Sequence, residues 1–200
     1  MASPKILLNI GCGTSGADRL PAYFANWQHV RVDIDPAVQP DIVADIRDLS
    51  VINEGAADAV WTSHCIEHLY QHEVVAAFRQ LSRVLKPDGC AVMLVPDLQT
   101  VARYIAEDRL TDVLYQSPAG PITPHDVVFG HGAAVAAGRL YMAHKTGFTP
   151  TNLIQSLEGA GFAEIVVRRR PEQLELVVIA NRSPWPDAAR RNAMIAALGL

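Results

Sequence analysis

The stretch Ile6 to Gly16, reading Ile-Leu-Leu-Asn-Ile-Gly-Cys-Gly-Thr-Ser-Gly, constrains this chain more than any other. A short apolar run stops at Gly11, and Gly13 and Gly16 follow. Physically this is a strand that ends abruptly in a tight turn. Glycine permits positive φ and leaves no Cβ between the backbone and a ligand. The spacing is that of a G-x-G-x-x-G nucleotide-binding loop, in which a strand feeds a helix. Many turns are rich in glycine, so the meaning of the stretch depends on what the rest of the chain puts around it.

A chain of 200 residues suggests one domain. At this size it buries roughly 70% of its unfolded surface and needs no disulfide staples. The net charge of -4 argues against a dedicated nucleic-acid binder, which would show a basic stripe. Cys12, Cys65 and Cys90 are widely spaced and form no Cys-x-x-Cys pair, which suits a reduced, cytoplasmic setting. The apolar run before Gly11 is too short for a signal sequence or a membrane span, and no later run approaches the roughly 20 residues a spanning helix needs.

Strand one is read at Ile6 to Ile10. Leu20, Tyr23, Phe24 and Trp27 have helical spacing, with Pro21 suited to a first turn. Val30 to Ile34 is a second strand, stopped by Pro36. Asp33 lies about 20 residues past the first glycine, where a nucleotide fold places the acid that accepts from ribose hydroxyls. Further strands are read at Asp41 to Ala44 and Ala59 to Thr62. Val74, Val75, Phe78, Leu81, Val84 and Leu85 share one helix face, and Lys86-Pro87-Asp88-Gly89 ends that helix. Cys90 to Val95 is a fifth strand, closed by Pro96-Asp97, and Leu98 to Ile105 is helical. Strands alternating with helices imply a parallel α/β sheet. Ligands in such sheets bind beyond the carboxyl ends of the strands. There the sequence places Gly11 to Gly16, Asp33, Asp45, Ser63, His64 and Asp97.

The section from Asp112 to Gly147 reads as long and irregular, with Pro118, Pro121 and Pro124 and a short Ala-rich helix within Gly132 to Met142. Such segments in compact domains are usually functional or mobile. It contains His125, His131 and His144, candidates for a general base that takes a proton from a hydroxyl or amine. Asp126, Tyr141 and Lys145 accompany them on the acceptor side. A helix from Thr149 to Leu157, strands Ile165 to Arg169 and Leu174 to Ala180, and an Ala-rich tail helix from Trp185 complete the chain. Arg168, Arg169 and Arg170 read as a solvated strand end. His64-Cys65-Ile66-Glu67-His68 matches an H-x-x-E-H zinc pattern, with His72 at helical spacing. No third ligand is evident, so no metal is expected.

These pieces together resemble the class I S-adenosylmethionine-dependent methyltransferases. Asn9-Ile10-Gly11-Cys12-Gly13 matches their first motif, and Val32-Asp33-Ile34-Asp35-Pro36 resembles the second, whose acid binds the ribose. Ala44-Asp45-Ile46-Arg47-Asp48-Leu49 looks like the third-strand motif. The resemblance implies that the Asp45 carboxylate meets the adenine amine and the Ile46 amide a ring nitrogen. Asp58-Ala59-Val60-Trp61 through Glu67-His68-Leu69, with Ser63 and His64, is similar to the fourth-strand segment. Leu85-Lys86-Pro87-Asp88-Gly89 looks like the turn before strand five. His144-Lys145-Thr146-Gly147-Phe148-Thr149 and Gly159-Ala160-Gly161-Phe162 occur in one bacterial branch of the family, loosely associated with cell-surface polysaccharide pathways.

The resemblance implies a Rossmann-like seven-stranded, mostly parallel sheet with an antiparallel last strand, helices on both faces and a lid inserted after strand five. The expected organisation is a methyltransferase domain over 1–182, with a lid and acceptor-binding insertion at 112–147, and a helical tail over 183–200. The expected cofactor is S-adenosyl-L-methionine, bound by Asn9, Gly11, Cys12, Gly13, Asp33, Ile34, Asp45, Ile46, Ser63 and His64. The expected partner is a small-molecule or saccharide acceptor, and the tail helix docks on its own domain or on a second subunit of a homodimer. Two alternatives stand beside this reading: a non-catalytic S-adenosylmethionine-binding partner subunit, and an NAD-binding protein, since Gly11, Gly13 and Gly16 fit the dinucleotide pattern literally.

Overall fold

The computed structural model describes residues 4–14, 20–117, 119–185 and 187–198. Gly16, Pro118, Pro186 and the last two tail residues lie outside them. Seven strands form one sheet in the order β3-β2-β1-β4-β5-β9-β8. They are β1 (Ile6–Ile10), β2 (Gln28–Asp33), β3 (Ile42–Val43), β4 (Ala57–Ser63), β5 (Leu85–Pro96), β8 (Glu164–Arg170) and β9 (Glu175–Asn181). β1 through β5 pair in parallel, and β9 runs antiparallel to both β5 and β8. The sheet is thus mixed, Rossmann-like in order, with the antiparallel final strand expected from sequence.

The central strands are apolar on both faces because both faces are covered. Leu8, Ile10, Met93 and Val178 pack beneath helices α1 (Gln71–Val84) and α5 (Pro150–Gly159), through Phe78, Leu81, Leu153 and Leu157. Leu7, Trp61, Val92 and Ile179 face the other way, onto Phe24, Met194 and Leu198. The second face departs from the sequence expectation. The helix read from Leu20 to Trp27 is a single 3-10 turn, Ala22–Phe24. Pro21 is extended and β2 already begins at Gln28, so there is room for one turn only. Phe24 meets Tyr23 and Trp27 edge-on, with ring centroids 5.2 Å and 5.1 Å apart. The tail helix α6 (Ala188–Ala197) supplies the missing cover, with Met194 fully buried. It therefore docks on its own domain.

The Lys86-Pro87-Asp88-Gly89 turn is also placed differently. α1 ends at Val84 and β5 starts at Leu85. The register steps from Ala57↔Leu85 to Ala59↔Cys90, so the Lys-Pro-Asp-Gly residues bulge within the strand. Asp58 steadies this point: one carboxylate oxygen accepts from the Ile6 amide at 2.9 Å and from Lys86 Nζ at 2.8 Å.

The segment from 112 to 147 is more regular than its composition suggests. It holds a hairpin, β6 (Tyr115–Ser117) with β7 (Gly120–Ile122), and two short helices, α3 (Pro124–Phe129) and α4 (Gly132–Ala136). Helix α3 starts in a capping box of Thr123 and Asp126, with Pro124 in the first turn. Val127 and Leu174 pack with Val101 of α2 (Leu98–Ala106), tying the segment to the main sheet. Among the described residues no helix is long and apolar enough to cross a membrane.

Two outcomes follow for stability. Burial works against the Asp58 charge, but the Lys86 and Ile6 bonds outweigh it and hold the carboxyl below its ordinary value of 3.8. Its contribution is therefore present above that pH and lost as pH falls through the lower native value. Asp58→Asn should cost about 1–3 kcal/mol near neutral pH, and urea titrations should show the penalty shrinking in acid. Met194→Ala should cost about 2–5 kcal/mol in the same assay; a loss within error of zero would mean α6 does not cover the sheet.

Candidate functional site

The glycine loop leaves β1 with Gly11 at φ 70° and Gly13 at φ 55°. A Cβ on Gly11 would lie 2.7 Å from Cys65 Sγ, so the loop passes β4 at a distance only glycine allows. Asp33, at the end of β2, holds the loop down: its carboxylate accepts from the Gly13 amide at 2.8 Å and from the Asp35 amide at 3.0 Å. Arg31 donates to the carbonyls of Gly13 and Val38 at 3.2 Å and 3.0 Å, joining the loop to the turn after β2. Cys12 is buried beside Asp33, and burial followed by that charge pushes its thiol up, so it is a packing residue and not a thiolate nucleophile.

Beyond the loop lies a cleft of about 490 Å³. Asn9, Gly11, Cys12 and Gly13 line one end, and Asp33, Ile34 and Asp35 the middle. Asp45 and Ile46 line it after β3, and Ser63 and His64 after β4. All ten residues expected at the cofactor therefore border one cavity, at the carboxyl edge of the sheet. Asp45 is gripped by Arg47, whose Nε lies 3.0 Å and 2.9 Å from its two oxygens, and this bond holds its carboxyl below the usual range. Arg47 in turn reaches Glu73 at 2.6 Å. The inserted segment closes over the cleft with Arg139, Tyr141 and Met142, and the Tyr141 hydroxyl donates to Asp35 at 3.1 Å.

A second cavity, of about 170 Å³, adjoins the first. The two share His64, His68 and Met142 as a common wall. His64 sits at φ 50°, a region that non-glycine residues occupy mainly at turns and functional sites. Its ring lies between two carboxylates, Nδ1 3.3 Å from Glu67 and Nε2 3.3 Å from Glu175. Burial disfavours the imidazolium, but Glu175 and Glu67 outweigh it and push the pKa up to about 10. Glu175 also pairs with Arg170 at 3.1 Å, and Arg169 with the buried Asp97 at 2.9 Å. Arg169 and Arg170 are thus tied into ion pairs, whereas Arg168 is exposed at the strand end as expected.

The three histidines singled out as bases fall differently. His131 and His144 line the smaller cavity. His125 does not: it is exposed on the first turn of α3, its ring 4.9 Å from Phe129. Helical spacing had suggested nothing about which side of α3 it takes. Asp126 is spent on the capping box and on the Gly132 amide at 2.9 Å, and Lys145 lies over the Tyr70 ring at 5.0 Å. Sequence reasoning noted Glu67 and His68 in the zinc pattern but did not count them among the site residues. Glu67 is fully buried, and neither carboxylate oxygen has a hydrogen bond among the described residues. Burial opposes its charge, yet His64, followed by His68 and His144, keeps its carboxyl below the usual glutamate range. The zinc pattern supplied the signal, but not in the helical form assumed: residues 66–68 are a 3-10 turn, and His72 stacks on Tyr70 in solvent at 5.8 Å. Glu67, His68 and His144 bring one ligand atom each to within 4.8 Å of one another.

Residues 8–93 match the family described as a methyltransferase domain. No curated protein matches the chain. Solved structures do match it in fold. A protein from Pyrococcus horikoshii OT3 is 17% identical with a TM-score of 0.59, covering 90% of this chain and 83% of its own. The 1,6-didemethyltoxoflavin-N1-methyltransferase of Burkholderia thailandensis, solved with its substrate and S-adenosylhomocysteine, is 17% identical with a TM-score of 0.55, covering 90% and 72%. The CMeT domain of the citrinin polyketide synthase is 14% identical with a TM-score of 0.57, and this chain spans only 47% of that one. The match over residues 8–93 and the fold shared with these solved structures are those of a methyltransferase domain.

Proposed function

We propose that this protein transfers the methyl group of S-adenosylmethionine to a small-molecule or saccharide-precursor acceptor held in the histidine-lined cavity. The observation that carries this reading is the shared wall. A cleft large enough for a nucleoside ligand opens, at His64, His68 and Met142, onto a smaller cavity of about 170 Å³. A donor in the first and an acceptor in the second would meet there.

The bound cofactor supplies a methyl group already activated by a positive sulfur. What remains for the chain is alignment, which is worth several kcal/mol when reacting groups are held in line. The backbone at Gly11 and Gly13, free of side chains, admits the amino-acid end of the cofactor. Asp33 and Asp35 face its ribose, and Asp45 and Ile46 its base. The insertion from 112 to 147 acts as the lid and acceptor-binding element: Tyr141 latches onto Asp35 while Tyr115, Ile122 and Val127 form apolar walls that exclude water. His131, on the same cavity, is placed to take a proton from an acceptor hydroxyl or amine.

Calorimetry tests the cofactor half directly. S-adenosylhomocysteine should bind and NADH should not; the reverse would overturn the reading. Asp33→Ala removes both the ribose acceptor and the clamp on Gly13, and should weaken S-adenosylhomocysteine at least about tenfold, or 1.4 kcal/mol. Unchanged affinity would move the ribose contact off Asp33.

A further inference from the structure

We infer that Glu67, His68 and His144 form a binding site for a first-row divalent cation, set in the wall between the two cavities. The three residues come from the turn after β4 and from the far end of the insertion, and their ligand atoms lie within 4.8 Å of one another. Three features make this more than a cluster.

The first is the carboxylate. Glu67 is 0% exposed, and neither of its oxygens has a hydrogen bond among the described residues. His64 approaches one of them to 3.3 Å but divides its two nitrogens between Glu67 and Glu175. The Glu67 carboxylate therefore keeps lone pairs open toward a further cation. The second is the state of the two imidazoles. His68 Nδ1 faces the Ala143 carbonyl at 3.2 Å, and His144 Nδ1 faces the Val127 carbonyl at 2.8 Å. An N–H donated from Nδ1 to a backbone carbonyl fixes the neutral tautomer and leaves the Nε2 lone pair for a metal, which is how metal-bound histidines are usually oriented. The rings are held 4.9 Å apart and edge-on by their own backbone bonds. The third is access. All three residues line the smaller cavity, so an ion there keeps positions open to a ligand entering it.

Two imidazoles and one carboxylate suit zinc, manganese(II) or iron(II), and not magnesium, which prefers oxygen ligands throughout. Three protein ligands with an open side is the pattern of a reactive site and not of a structural one. Metal bonds of about 2.0–2.2 Å would draw the ligand atoms closer together by side-chain adjustment. The open position would take an oxygen of the acceptor, which favours a hydroxyl as the group methylated. With the ion bound, that O–H would be more acidic; its proton would pass to His131 and on to solvent, the oxygen lone pair would form the O–CH3 bond, and the C–S electron pair would stay on the neutral thioether. This last step rests on the proposed methyl transfer, whereas the ion site itself does not.

The test uses the full chain, stripped with EDTA and titrated calorimetrically with zinc chloride and with manganese chloride. One ion per chain should bind, and magnesium chloride should bind far more weakly. Glu67→Gln, which keeps the shape of the side chain, and His144→Ala should each lower affinity by at least about 10–100-fold. His72→Ala, in solvent on α1, should leave it unchanged. Wild-type protein loaded with cobalt(II) should show visible d–d absorption, and adding catechol should shift it. That measurement decides the matter even if a variant fails to fold. Absence of uptake and of cobalt absorption by the wild type, or equal affinity in the variants, would overturn the ion site. An unshifted spectrum would overturn the oxygen ligand alone. S-adenosylhomocysteine titrated into the same samples separates the two ideas: no binding with metal uptake intact would sink the methyl-transfer reading and leave the ion site standing.

Discussion

Asp33 clamps the backbone amides of Gly13 and Asp35 between its two oxygens, and the cleft has its shape because of that clamp. The amide of Gly13 is free to be held because its φ is positive and no side chain intervenes. One carboxylate thus ties the end of β1 to the end of β2 at the edge where a parallel sheet exposes its strand termini. Carboxylate oxygens carry more than one lone-pair site each, so the clamp leaves acceptors for a ligand hydroxyl. The next residue in this chain of dependence is Asp35, which caps Ala37 at 2.9 Å and also receives Tyr141 from the insertion. The glycine loop and the 112–147 segment are in this way joined through two acids at the end of β2.

The opposite wall depends on charge. His64 lies within salt-bridge distance of Glu67, three residues on, and of the sequence-distant Glu175, with Arg170 beyond. The insertion ends against the same turn: the Lys145 and Thr146 amides donate to the Glu67 carbonyl at 2.8 Å and 3.2 Å. Glu67 therefore holds the lid by its backbone while its side chain faces the cavities.

Much of the sheet was legible because the signals were local. Apolar runs punctuated by glycine, proline and aspartate marked β1, β2, β4, β5 and the final pair, and the glycine loop fixed which edge carries the cleft. The residues expected at the cofactor all border it for one reason: each lies at or just past the carboxyl end of a strand, so strand position alone locates them. What was hidden depended on long-range contacts. The Leu20 to Trp27 pattern was apolar because it packs on Trp61 and on α6, and not because it is a helix. The short hairpin and helices of the insertion are each too brief to show periodicity. Arg169 and Arg170 looked solvated because their partners lie on other elements, Asp97 at the N-cap of α2 and Glu175 on β9. The Glu67, His68 and His144 group joins residues from either side of the insertion, so spacing along the chain could show two of its members but not the third.

The central claim is that a nucleoside cofactor occupies the cleft above the Asp33 clamp and points its reactive end at the wall of His64 and His68. A crystal structure with S-adenosylhomocysteine tests it most directly. The account predicts the ribose at Asp33 or Asp35, the base near Asp45 and Ile46, and the sulfur facing the cavity lined by His68, His131 and His144. A ligand bound elsewhere, or lying in the cleft with its sulfur turned away from that cavity, would contradict it.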